Sequence, residues 1–162
     1  MKRNVVAGIV LLLLQSGCAA SRAARSPSSV ARFDIRSGIS VEAHVSQFDA
    51  HEHAIARCHV YDNWSGVCLI DGKPVFGTDW DLPVTMLDSA TLLLGDQAIP
   101  LDVSGMYNPW VGEPLKDAFR VEEVEGGYEV TGNFSDGAGS YRARWWVVDG
   151  ISIRTLIEGA AC

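Results

Sequence analysis

Four turn dipeptides, Asp71-Gly72, Gly95-Asp96, Gly126-Gly127 and Asp149-Gly150, each stand between apolar-rich runs, and this pattern most constrains the fold of the 162-residue chain. Two-residue loops of this kind need φ > 0, which Gly, Asp and Asn tolerate, and they join antiparallel strands. Four hairpins imply at least eight strands. Within the runs, Ile39, Val41, Ala43 and Val45 alternate with Ser40, Glu42, His44 and Ser46, as in a strand buried on one face. No stretch sustains a 3.6-residue period, although residues 114–119 have room for one helical turn and residues 82–88 read as irregular or briefly helical. The expectation is an all-β domain, a single antiparallel meander of about 8–10 strands forming a β-sandwich or small β-barrel.

The turns set registers that the prolines can check. A two-residue turn at Asp71-Gly72 pairs Ile70 with Lys73 and Leu69 with Pro74, and one at Gly95-Asp96 pairs Leu94 with Gln97 and Thr91 with Pro100. Both prolines then occupy non-hydrogen-bonded sites, with their nitrogens facing outward as on edge strands. The Gly126-Gly127 turn places Phe119, Val121, Tyr128, Val130 and Phe134 on one face. The Asp149-Gly150 turn aligns Trp146 with Ile153 and Val148 with Ile151, pairs expected to lie in the core because cross-strand aromatic and β-branched neighbours stabilise sheets. Trp145 falls opposite Arg154, where a cation–π pair could form.

Met1, Lys2 and Arg3 precede a ten-residue apolar run, residues 5–14. Ten helical residues rise about 15 Å, too little for a hydrocarbon core of about 30 Å, so the run reads as the h-region of a signal peptide. Gln15-Ser16-Gly17-Cys18 follows, and it resembles the lipobox of bacterial lipoproteins, with small residues before the cysteine and Gln15 where the family usually carries Leu. The resemblance implies acylation of Cys18, and Ala19 in place of Asp implies sorting to the outer membrane; ordinary secretion with a cut near Ala19 or Ala20 is the alternative. The expected organisation is a signal peptide over 1–17, a lipidated N-terminus and flexible tether over 18–31, and a β domain over 32–162. Removing Lys2 and Arg3 leaves 11 of the 13 basic residues against 20 acidic ones, a net charge near −9. Such an acid excess argues against a nucleic-acid partner, because phosphate contacts need clustered Lys and Arg.

With Cys18 acylated, Cys58, Cys68 and Cys162 remain. In a hairpin with its tip at Asp62-Asn63-Trp64, Cys58 and Cys68 face each other at a non-hydrogen-bonded site with Cα atoms about 4.5 Å apart, inside the disulfide window. A competing type I turn over residues 63–66 sets Cys68 opposite Asp62 instead. Cys162 is then a terminal thiol or the partner of one of the other two. All four histidines fall at positions 44, 51, 53 and 59. His51 and His53 on a strand would share a face and, with Asp49 or His44, offer zinc ligands, but the spacing is weak and no metal is expected.

No Gly-x-Ser-x-Gly elbow occurs, and Ser104-Gly105 reads as a turn. The Gly-rich residues 135–140 precede no helix, so they form no phosphate cradle, and no cofactor or catalytic set is expected. Candidate binding residues cluster in residues 104–116, where Met106, Tyr107 and Trp110 either plug the open end of the sheets or contact a partner. Trp64 and Trp80 extend that aromatic set, and Asp79 and Asp81 flanking Trp80 are compatible with a sugar site.

Gly139-Ser140-Tyr141, Trp145-Trp146 and Asp149-Gly150 are similar, over about a dozen residues, to the strand and loop with which periplasmic lipoprotein lysozyme inhibitors engage their enzyme. The functional expectation is a membrane-anchored, non-enzymatic, protein-binding or inhibitory module in the cell envelope, immunity-like in design, whose acidity steers a basic toxin or cell-wall enzyme. A small-ligand or carbohydrate-binding lipoprotein is the alternative, and a hydrolase the third reading.

Overall fold

A computed structural model describes residues 28–110, 113–114 and 116–159. Cys18 with its apolar run, most of the expected tether, and Cys162 lie outside the described residues. The strands are β1 (Ser29–Arg36), β2 (Ile39–Gln47), β3 (Ile55–Tyr61), β4 (Trp64–Ile70), β5 (Lys73–Pro74), β6 (Thr85–Leu94), β7 (Gln97–Leu101), β8 (Phe119–Val124), β9 (Gly127–Phe134), β10 (Tyr141–Val148) and β11 (Ile151–Gly159). They make three antiparallel sheets, β1-β2-β6-β7, β8-β9-β10-β11 and β3-β4-β5. The two four-stranded sheets close on one apolar core, to which β1, β2, β6 and β7 contribute Phe33, Val41, Leu92 and Ile99, and β8 to β10 contribute Phe119, Val130, Phe134 and Trp145. The chain is thus an all-β, sandwich-like domain.

Within each sheet, adjacent strands are consecutive in sequence except β2 and β6. Residues 48–84 leave the sandwich as an excursion whose neck is closed by the Phe48 N–H donating to the Val84 carbonyl at 2.9 Å. The excursion carries β3, β4 and β5 and its own small core of Val67 and Ile70, completed by Tyr107.

The registers at Asp71-Gly72 and Gly95-Asp96 are those expected, with Leu69 beside Pro74 and Thr91 beside Pro100, and both prolines lie on edge strands. The third turn falls one residue earlier than expected, at Glu125-Gly126, because Val124 pairs with Gly127. That slip changes the sum of paired positions by two, so the faces survive: Phe119, Val121, Val130 and Phe134 are buried and Tyr128 packs against them. Ser29 to Ala31, expected in the tether, pair with Val45 to Ala43 as the start of β1. Residues 85–88, expected to be irregular, belong to β6, and the described part of 114–119 contains no helix.

One expectation about the core fails. Trp146 pairs with Ile153 and Val148 with Ile151 in the expected register, yet these four side chains point away from the sandwich and remain 49%, 64%, 38% and 66% exposed. Alternation along β10 explains it: Trp145 and Val147 face the core, so Trp146 and Val148 share the outer face with Arg142 and Arg144.

Candidate functional site

The aromatic loop is anchored before it can bind anything. Trp145, fully buried, donates from Nε1 to the Asp102 carbonyl at 2.8 Å, and the Arg154 guanidinium donates to the Ser104 carbonyl at 2.7 Å. Trp145 and Arg154 do align across strands, but both side chains are spent gripping this segment. Ser104 accepts from Arg154 through its hydroxyl and donates its backbone N–H to Asp102, so Ser104-Gly105 is a braced turn. Burial opposes ionisation of Asp102, but the Ser104 N–H and hydroxyl and the Arg154 charge prevail and hold its carboxyl below the ordinary value.

Beyond this turn, Met106 bridges to Phe76 and Tyr107 to Met86, and both side chains are buried, Met106 in the large core and Tyr107 in the small one. Met106 and Tyr107 are therefore plugs rather than binding residues. Burial raises the Tyr107 hydroxyl pKa, and the Asp71 charge adds to it; burial also pushes the pKa of Tyr141 upward. Asn108, at φ 40°, accepts at Oδ1 from the Val84 and Thr85 N–H groups at 2.9 and 3.0 Å and donates from Nδ2 to the Gly77 carbonyl at 2.9 Å. It clasps the excursion to the sandwich. Trp110 packs edge-on against Phe33 and lines an open cleft of about 80 Å³ with Glu113 and Asp136. A second open cleft lies beside Arg142 and Glu158.

Trp64 and Trp80 are brought together, with ring centroids 6.3 Å apart and planes at 83°. Trp64 opens β4 after the two-residue turn Asp62-Asn63, where Tyr61 pairs with Trp64, so it sits on a strand and not in the turn expected for it. Trp80 has φ 65°, a left-handed conformation that costs an L-residue about 1 kcal/mol or more. Two contacts hold it there: its carbonyl accepts the Val67 N–H at 2.7 Å, and its Cβ sits where Gly66 leaves room, since a Cβ at Gly66 would lie 2.3 Å away. Asp79 and Asp81, flanking Trp80, are exposed, as are Leu82 and Val84 in the segment that follows.

The hairpin under Trp64 is cross-linked. Cys58 and Cys68 form a disulfide with Cα atoms 5.7 Å apart. Neither register considered from the turn residues is the one observed, because Cys58 lies opposite Gly66 and the ladder slips between Ala56 and Arg57, leaving Cys68 as an extra residue. In a regular ladder those cysteines would be diagonal neighbours about 7–8 Å apart; the bulge at Cys68 shortens the gap to a bridgeable one.

His51 and His53 do not share a strand face. His51 lies in a 3-10 turn, Ala50–Glu52, capped by Asp49, whose side chain accepts the His51 N–H at 3.0 Å. His53 follows it, stacked on Phe48, with Nδ1 2.7 Å from Asp71 Oδ2. The Asp49 cap breaks the alternation on which the zinc reading depended. Among the described residues no group of three or more His, Cys, Asp or Glu is placed to hold a metal ion. The His53 contact, with the Ala54 N–H, holds the Asp71 carboxyl below its ordinary value.

The outer face of β10 and β11 was not among the expected sites. Its signal was present in the sequence, since Arg142 and Arg144 occupy the same alternating positions as Trp146 and Val148 and mark that face as solvent-facing. No protein-family model, curated protein or solved structure matches this chain.

Proposed function

We propose that this chain is a lipid-anchored envelope protein whose acidic β domain binds, and by binding inhibits or neutralises, a basic protein such as a toxin or a cell-wall enzyme. The observation that carries the reading is the Trp64–Trp80 pair on the disulfide-closed excursion. Trp80 is held at a strained φ, its neighbours Leu82 and Val84 are exposed, and Asp79 and Asp81 flank it. Rigid aromatic anchors with an acidic surround suit docking of a cationic protein surface. Strain kept at a half-buried aromatic residue among exposed neighbours is a feature of binding sites more than of bare scaffolding.

The same two rings with nearby carboxylates also suit a sugar, which is the second reading. Fluorescence titration separates them. A basic lysozyme should quench tryptophan emission in a manner lost at high salt and in Trp80→Ala, whereas quenching by cell-wall oligosaccharides alone would support the sugar site and overturn the protein-binding reading. Anchoring is tested separately: labelled palmitate should be incorporated into the chain and lost in Cys18→Ala, and unchanged labelling or none in the parent chain would overturn it.

A further inference from the structure

We infer that the turn end of the outer face of the β8–β11 sheet is a docking surface for a protein segment in which an apolar side chain is flanked by Lys or Arg. The inference rests on the protein-binding reading above and adds to it a second surface with its own ligand chemistry.

Register builds the surface row by row. In the row nearest the turns, Val124 pairs with Gly127 and Val148 with Ile151, and Val148 packs over Gly127, where a Cβ would meet its Cγ2 at 3.3 Å. The next row runs Glu122, Glu129, Trp146, Ile153. Trp146, Ile151 and Ile153 thus form a contiguous apolar group on two adjacent strands, each about half to two-thirds exposed. Most soluble domains scatter such residues singly, and a cluster on a rigid sheet marks a contact surface.

Charge selects the occupant. Glu122 and Glu129 lie directly opposite each other, a like-charged cross-strand pair that destabilises a sheet. Arg120 forms an ion pair with Glu122 at 4.0 Å and Arg144 with Glu129 at 3.7 Å, which offsets part of the repulsion, but both contacts are beyond good hydrogen-bond distance and leave carboxylate oxygens open to a further cation. Glu125 and Asp149, exposed in the two adjoining turns, add negative charge. A Lys or Arg from a partner would relieve the Glu122–Glu129 repulsion while its apolar neighbour covers Trp146 and Ile153. A second copy stacked with its strands in the same order would bring its own Glu122 and Glu129 against these, and an anionic bilayer would be repelled in the same way.

Heteronuclear NMR of the full chain tests this with two peptides, acetyl-Lys-Lys-Phe-Leu-Lys-amide and its counterpart with Glu in place of each Lys. The basic peptide should shift the Trp146 indole and the Ile151 and Ile153 methyl signals, weaken about fivefold or more on raising salt beyond a Debye length of about 4 Å, and lose those shifts in Ile153→Glu. Ile153 is exposed, so that variant should fold. Equal shifts from the acidic peptide would overturn the charge selection, and self-association abolished by Ile153→Glu would assign the face to a second copy instead. Shifts at Trp64 and Trp80 with Trp146 silent would overturn this inference alone. Silence at all three would count against both it and the protein-binding reading.

Discussion

Trp145 Nε1 donates to the carbonyl of Asp102 at 2.8 Å, tying β10 to the far end of β7 across the mouth of the sandwich. The same carbonyl accepts a longer contact, 3.3 Å, from Arg154 Nη1. Trp145→Phe therefore removes one donor and part of a fully buried ring without orphaning the acceptor. The expected loss is about 1–3 kcal/mol in urea unfolding, and Trp145→Ala should cost about 3–5 kcal/mol.

Asn108 satisfies three backbone groups with one side chain and tolerates a positive φ that few residues accept. Asn108→Ala leaves two N–H groups and a carbonyl unpaired and retains the backbone strain. It should lower stability by about 2–4 kcal/mol, read from the urea midpoint.

Reduction of Cys58–Cys68, or their joint replacement by Ser, should lower stability by about 2–3 kcal/mol, the chain-entropy value for a loop of about ten residues. Thermal unfolding with and without reductant measures it, and the Ser variant should show no further response to reductant.

Asp71 and Asp102 both have carboxyls held below their ordinary value of 3.8. A depressed folded pKa contributes stability that is complete above the unfolded value and is lost as pH falls through the lower folded one. The melting temperature should therefore hold down to about pH 4 and fall below it. Asp71→Asn, which removes the titrating carboxyl at His53, should flatten that fall, and a melting profile parallel to the parent's would contradict the assignment.

The local geometry of this domain is readable from its turns. Asp71-Gly72, Gly95-Asp96 and Asp149-Gly150 determine their registers because a two-residue loop leaves one pairing, and the prolines at 74 and 100 agree with it. What the turns cannot give is which face is inside. Apolarity alone places Trp146–Ile153 in the core, whereas the parity shared with Arg142 and Arg144 places it outside. Long-range events were equally hidden: the pairing of β2 with β6 across residues 48–84, the bulge that brings Cys68 to Cys58, and the capture of Met106 and Tyr107 by two cores all depend on partners distant in sequence. Of the binding residues expected, only Trp64, Trp80, Asp79 and Asp81 stay together on the excursion, and Trp110 packs elsewhere, on Phe33.

The central claim is that this acidic domain engages a basic protein. Its most direct measurement is in-cell photocrosslinking with a benzophenone amino acid at position 82, exposed beside the Trp64–Trp80 pair, in the parent chain and with Trp80→Ala, followed by identification of the adduct. The account predicts one dominant adduct with a protein of pI above about 9, weakened in Trp80→Ala and by high salt in envelope extracts. No adduct, or one with an acidic protein insensitive to both changes, would contradict it.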